Sequence, residues 1–169
     1  SAFRSGISEA IAFDRQMNKL AQFSGDSAAR ISEVRTEIGR LATTFGVSSK
    51  ELAESALVFK QAGLSITDTK VALEALAKSA LAPNFDTMAS TAEGAIAIMS
   101  QFKVKANELE GALGSVNQVA GDFAVEASDL ITAVQKAGGA FAQTGGQLNE
   151  FLGLFTSVRA TTRESADSI

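Results

Sequence analysis

Ser27–Phe45, SAARISEVRTEIGRLATTF, decides the fold class. Its apolar residues Ile31, Val34, Ile38, Leu41, Ala42 and Phe45 follow the three-and-four spacing that lines one face of a helix. The same spacing returns in Leu109, Ala112, Leu113, Val116 and Ala120, and in Ala127, Leu130, Ile131, Val134 and Phe141. It returns once more in Leu148, Phe151, Leu152, Phe155 and Val158. No stretch sustains the strict alternation of a half-buried strand. The pattern predicts an all-α protein of about eight helices, each of roughly three to five turns.

The breaks between helices are readable as well. Gly46 ends the Ser27–Phe45 helix, and Ser48 with Glu51 three residues on has the spacing of a capping box. Ser65 with Asp68 repeats that spacing after Gly63, with Thr67 as the alternative cap. Pro83-Asn84 is expected to stop the next helix and Asp86 to cap the one after it. Asn107 and Glu110 offer a further start after the polar connector Lys103-Val104-Lys105. Gly121-Asp122, Gly138-Gly139 and Gly145-Gly146 punctuate the last third, and Thr161 with Glu164 marks a last helix.

Phe45, Phe85 and Phe123 each sit just before a helix start, 40 and 38 residues apart. The segments Val47–Asn84, Phe85–Asp122 and Phe123–Thr161 then read as two helices each. Two arrangements fit this period: stacked antiparallel α-hairpins of roughly 40 residues, as in a helical solenoid, or an irregular bundle of helices of similar length. The domain reading is an N-terminal helix over 1–25, a stalk if it continues upstream, a helical-hairpin core over 26–161, and the start of a further helix over 162–169. Ser1 is not an initiator Met, and the chain is expected to be a piece of something longer.

Composition removes whole classes of chemistry. The 169 residues include no His and no Cys, which excludes Cys/His zinc sites, c-type haem attachment, Ser-His-Asp triads, Cys nucleophiles and disulfides. Lys plus Arg number 15 against 19 Asp plus Glu, for a net charge of −4, the opposite of the basic stripe that nucleic-acid binding requires. The longest apolar run, near Ala95–Met99, is far short of the roughly 20 residues a bilayer crossing needs. The eleven Phe carry every aromatic contact, since Trp and Tyr are absent.

Carboxylates are the remaining acid–base groups. Glu108 with Glu110, Asp122 with Glu126, and Glu126 with Asp129 are close in sequence and of the type that runs hydrolysis or binds divalent ions. Their place in connectors and first helical turns is explained as well by the helix dipole. The stretch Gly138–Gly146 has the glycines of a phosphate loop but lacks its Gly-Lys-[Ser/Thr] and its preceding strand. Arg4, Arg15, Lys19, Arg30, Arg35 and Arg40 are the densest basic set, with Asp14, Asp26, Glu33 and Glu37 interleaved. Asp26–Arg30 and Glu74–Lys78 have the i,i+4 spacing of solvated ion pairs. No catalytic, cofactor or metal residue is assigned on these grounds.

The N-terminal segment carries Phe3, Phe13, Phe23 and the row Ile7, Ile11, Met17, Leu20, with Phe13 and Phe23 off that row. Either these pack onto the rest of the domain or they belong to a stalk that associates with other copies. The Ala-rich stretch with Ala89, Ala92, Ala95 and Ala97 around Gly94 permits close helix approach but buries little area per residue.

The order of these features resembles the core of phage tail tape measure proteins of the TP901 type. Phe45–Ala53 (FGVSSKELA) and Gln61–Ser65 (QAGLS) resemble the family's "t-x-F-s-x-x-E-x-A" helix and its "A-G-l-s" ending. Phe85-Asp86, Gln101-Phe102, the small residues up to Ala120, Val125-Glu126 with Leu130, and Ala137-Gly138 follow in order. Phe13–Leu20 resembles the family's lead-in, and Thr161–Ile169 its closing segment, although Ala166-Asp167-Ser168-Ile169 departs from the usual "A-G-t-a-l". The resemblance implies a structural virion protein, phage or prophage encoded, that helps set tail length during assembly and leaves with the DNA at ejection. It implies residence in the tail lumen or tip, and in the bacterial cytoplasm before assembly. Its implied partners are other copies of the chain and tail tube, tail-tip or tail-assembly chaperone proteins, with no nucleic-acid recognition, membrane segment, small-molecule substrate or cofactor. A helical-repeat adaptor that binds a peptide or protein in a groove is the alternative. An enzyme using carboxylates alone, such as a glycosidase, has the least support, since it would lack Trp and Tyr for sugar stacking.

Overall fold

A computed structural model describes residues 2–82 and 84–166, with side chains over 4–82 and 84–159. Among these residues there are eight helices and no strand: α1 (Ala2–Ser24), α2 (Ala28–Phe45), α3 (Ser49–Gln61), α4 (Ile66–Ser79), α5 (Met88–Phe102), α6 (Leu109–Asp122), α7 (127–143) and α8 (Leu148–Ala166). A single 3₁₀ turn, Ala106–Glu108, leads into α6, and α7 widens into a π turn over Val134–Gly138.

Each helix packs on its successor and on the helix after that. Thus α1, α3, α5 and α7 lie side by side in one layer, and α2, α4, α6 and α8 form the other. This alternation stacks α-hairpins into two layers around one continuous core. Leu20, Ile38, Leu41, Leu52, Phe59, Leu73, Ile98, Leu113 and Leu130 are fully enclosed there. Ala53, Ala56, Ala72, Ala77, Ala92 and Ala95 are equally enclosed and let the helix axes approach closely. The three segments read from the phenylalanine spacing each hold two helices, α3–α4, α5–α6 and α7–α8. The phenylalanines themselves are not equivalent: Phe45 and Phe85 pack against the core, whereas Phe123 is 51% exposed.

Local chemistry explains most of the boundaries. Gly46 takes the left-handed conformation (φ 67°) and donates its N–H to Ala42 O, closing α2. The Ser48 hydroxyl accepts the Glu51 N–H to open α3, and Ser65, not Thr67, does the same for Asp68 in α4.

Several boundaries differ from the sequence reading. Thr87 rather than Asp86 caps α5, accepting the Ser90 N–H. Neither Asn107 nor Glu110 caps α6; the Glu108 carboxylate accepts the Lys105 N–H across the 3₁₀ turn. Gly121-Asp122 does mark the end of α6, which closes at Asp122, and the chain then reverses at Ala124 (φ 50°). Gly138-Gly139 lies within α7, and Thr161 and Glu164 lie within α8, so residues 162–166 continue that helix and do not start another. Pro83, expected to stop α4, lies outside the described residues, as do Asp167, Ser168 and Ile169.

Candidate interaction surfaces

The carboxylate pairs singled out in the sequence do not converge. Glu108 is engaged with the Lys105 N–H at 2.8 Å, while Glu110 reaches across to Lys78 Nζ at 2.8 Å. Asp122 and Glu126 are exposed on either side of the α6–α7 corner, and Asp129 pairs with Arg159 of α8. Among the described residues no three acidic side chains come together in a way that could hold a metal ion.

The glycine stretch is a packing device. Gly138 has no room for a side chain: a Cβ there would meet Gln101 Oε1 at 2.5 Å and Phe102 Cε2 at 2.9 Å. That gap lets the Gln101 amide lie on the π turn, where its Nε2 donates to Gln135 O at 3.4 Å. Gly146 lies under the Phe141 ring, and Phe141 in turn packs tilted on Phe151 with ring centroids 5.5 Å apart. An open cleft of about 430 Å³ beside it is bordered by Gln101, Lys103 and Gln143, without the converging N–H groups and cations of a phosphate site.

Of the basic set, Arg30, Arg35 and Arg40 are paired, Arg30 and Arg40 in a ladder of ion pairs across the even layer. Arg30 and Lys70 share Glu33 at 2.8 and 2.7 Å, and Arg40 bridges Glu37 of α2 and Glu74 of α4 at 2.6 and 2.8 Å. Lys78 continues the ladder from Glu74 (3.2 Å) to Glu110 of α6 (2.8 Å). Arg35 pairs with Asp14 and lies 5.0 Å above the Phe13 ring. Asp26 binds Lys60 of α3 at 2.9 Å rather than the Arg30 suggested by spacing.

These contacts set the titration of the ladder. The hydrogen bond from Lys60 holds Asp26 below its ordinary value of 3.8, against the opposing effect of burial. Lys70 and then Arg30 do the same for Glu33, and Lys78 does so for Glu74. Glu110 and Glu74 hold Lys78 above its ordinary value, and Glu37 first among its neighbours raises Arg40.

The N-terminal apolar row divides. Met17 and Leu20 are buried and Phe13, read as off the row, packs on the core with them, so α1 is anchored on α3, while Ile7 and Ile11 lie on the opposite face of the helix and are exposed. Phe3 lies outside the residues with described side chains. No helix among the described residues is long and apolar enough to cross a membrane.

What the molecule presents is a two-layer helical stack with an ion-pair ladder across its even layer and exposed apolar residues on its first and last helices. Residues 35–169 match the family described as phage-related minor tail protein. The chain belongs to that family and is a structural protein of the phage virion tail. No solved structure matches it.

Proposed function

We propose that this chain is the structured core of a tape measure protein of the TP901 type. In this reading it helps set tail length during assembly, occupies the tail lumen or tip, and is released with the DNA at ejection. The observation that carries the reading is the ordered run of motifs from Phe45 to Ala137-Gly138, set within the match to the minor tail family over 35–169. Its partners are then other copies of the chain together with tail tube, tail-tip or chaperone proteins, and it awaits assembly in the bacterial cytoplasm. The role is mechanical, without catalysis.

Length arithmetic limits the chain's own contribution. A single unbroken helix of 169 residues would span about 250 Å at about 1.5 Å per residue, and folding into hairpins shortens it several-fold. Any ruler of tail length must therefore include more than this compact stack.

Tryptic mass spectrometry on particles purified after induction of the source tests the reading through the peptides Gln61–Lys70 and Val71–Lys78. Both are expected in a virion band far heavier than 17.5 kDa. Their appearance only in soluble extract, in a protein near 17.5 kDa, would sink the reading in favour of the helical-repeat adaptor.

A further inference from the structure

Between α6 and α7 the stack changes character. Ion pairs join α1 to α2 (Asp14–Arg35), the α1–α2 corner to α3 (Asp26–Lys60), α2 to α4 (Glu33–Lys70 and Arg40–Glu74) and α4 to α6 (Lys78–Glu110). They resume between α7 and α8 with Asp129–Arg159. Among the described residues none joins α5 or α6 to α7 or α8, and the one side-chain hydrogen bond across that boundary runs from Gln101 Nε2 to Gln135 O at 3.4 Å. What holds the boundary is apolar and narrow: Ile131 on Gly94, Phe102 against Gly138, and Phe102 tilted on Phe151 with ring centroids 5.9 Å apart. Three clefts open along it. One of about 160 Å³ lies between Glu93 and Thr132, the one of about 430 Å³ between Lys103 and Gln143, and one of about 650 Å³ between Ser115 and Asn149. Atoms that border such gaps lack the packing partners that the core supplies elsewhere.

The corner on this boundary is strained. The α3–α4 and α7–α8 corners place Gly63 and Gly145 in the left-handed conformation, but at α6–α7 that place falls to Ala124 (φ 50°). It is held there by two hydrogen bonds of 3.1 Å, from the Phe123 N–H to Val119 O and from the Val125 N–H to Ala120 O. Lys103 (φ 58°), beside the 430 Å³ cleft, is strained in the same way. Where α7 meets α5 it widens into the π turn, and Gln101 Oε1 is enclosed without a partner. Strained backbone and π turns gather where a fold has a second arrangement within reach.

We propose that this boundary is a working seam: the α7–α8 hairpin swings off α5 and α6 as one body, hinged at Phe123–Val125, and uncovers Ile131 and Phe151. Release of Ala124 and hydration of Gln101 Oε1 favour the open form, while the apolar contacts favour the closed one. The open form is then a minor population that any ligand of the uncovered faces would enlarge. Helix contacts reach no further than the next helix but one, so chain continuing past α8 in the same mode would add to the hairpin's side and leave the seam in place. Such a seam serves any assembled form of the chain and stands apart from the tape measure reading.

A disulfide can lock it. A Cβ at position 94 would lie against Ile131 Cγ2, so cysteines at 94 and 131 bring their β-carbons within about 4 Å, the span of a disulfide, in a chain with no other Cys. Hydrogen exchange is followed over the whole chain, first unmodified and then with Gly94→Cys and Ile131→Cys together, reduced and oxidised. In the unmodified and reduced chains the amides of α7 and α8 should exchange together, about tenfold or more faster than those of α3 and α4. Oxidation should slow them by a similar factor and leave α3 and α4 unchanged. Ala124→Gly, in an otherwise native chain, should slow the same amides several-fold. Fast exchange of α8 alone, with α7 protected, would be the fraying of a last helix, and exchange of α7 at the pace of α3 and α4 would mean that the hairpin opens only on global unfolding. Either overturns the proposal, as does an oxidised chain in which α7 exchanges as fast as in the reduced one.

Discussion

Ile131 of α7 lies on Gly94 of α5 so closely that a Cβ at position 94 would stand 2.3 Å from Ile131 Cγ2. With Gly138 beneath Gln101 and Phe102, this contact brings the third and fourth helices of the odd layer within reach of each other. Gly94→Ala is expected to destabilise the chain by about 1–3 kcal/mol through overpacking, read as a fall in the urea midpoint. Ile131→Ala in the same chain should recover part of that loss. Gly114, exposed on α6 with nothing within 4 Å of its missing Cβ, is the internal control. There Ala should stabilise by about 0.5–1 kcal/mol through helix propensity alone.

Thr69 is fully buried on α4, and its hydroxyl has no hydrogen-bond partner. Its desolvation is uncompensated, so Thr69→Val should raise stability by about 1 kcal/mol, measured by thermal or urea unfolding. Ser55 is as deeply buried, but its hydroxyl donates to Glu51 O at 2.9 Å. Ser55→Ala should therefore give little or no gain, and equal gains at both positions would contradict the distinction.

Acid should weaken the even-layer ladder and the Asp26–Lys60 pair. Asp26, Glu33 and Glu74 are held below ordinary values of 3.8, 4.5 and 4.5, so the folded state binds protons less readily than the unfolded chain. Their contribution is complete above those values and fades as pH falls through the lower folded ones. The melting temperature should accordingly drop on acidification below about pH 4, and less steeply in Asp26→Asn, which lacks one of the three groups. Lys78 acts in the opposite sense: its raised value keeps its contribution whole below 10.5 and loses it only at higher pH. Added salt should reduce both effects, because most of these pairs are exposed.

How much the sequence discloses depends on whether a feature is local. The α2–α3 corner is legible because Gly46 supplies the left-handed residue and Ser48 the cap within three positions of each other. The α6–α7 corner is legible in position, at Gly121-Asp122, but not in geometry, because Ala124 takes the same left-handed conformation without being Gly, held there while Val125 is buried beside it. Asp86 and Thr87 are both good caps, and the choice falls to Thr87 as the next residue, Met88, enters the core. The π turn has no signature at all in Val134–Gly138, since it answers to Gln101 on another helix. Ion pairs follow the same division. Glu74–Lys78 is visible at i,i+4, but Asp26–Lys60 and Lys78–Glu110 exist only once the layers are stacked.

The contact order of the stack has a mechanical consequence. Among the described residues every substantial helix contact joins near neighbours along the chain, none reaching beyond the next helix but one. Tension between the ends is carried in series through these local contacts, and the outermost hairpin, held on one side only, gives way before those held on both. Such a molecule pays out under force in steps, one α-hairpin at a time, where a domain tied together by its termini would resist and then rupture as a whole.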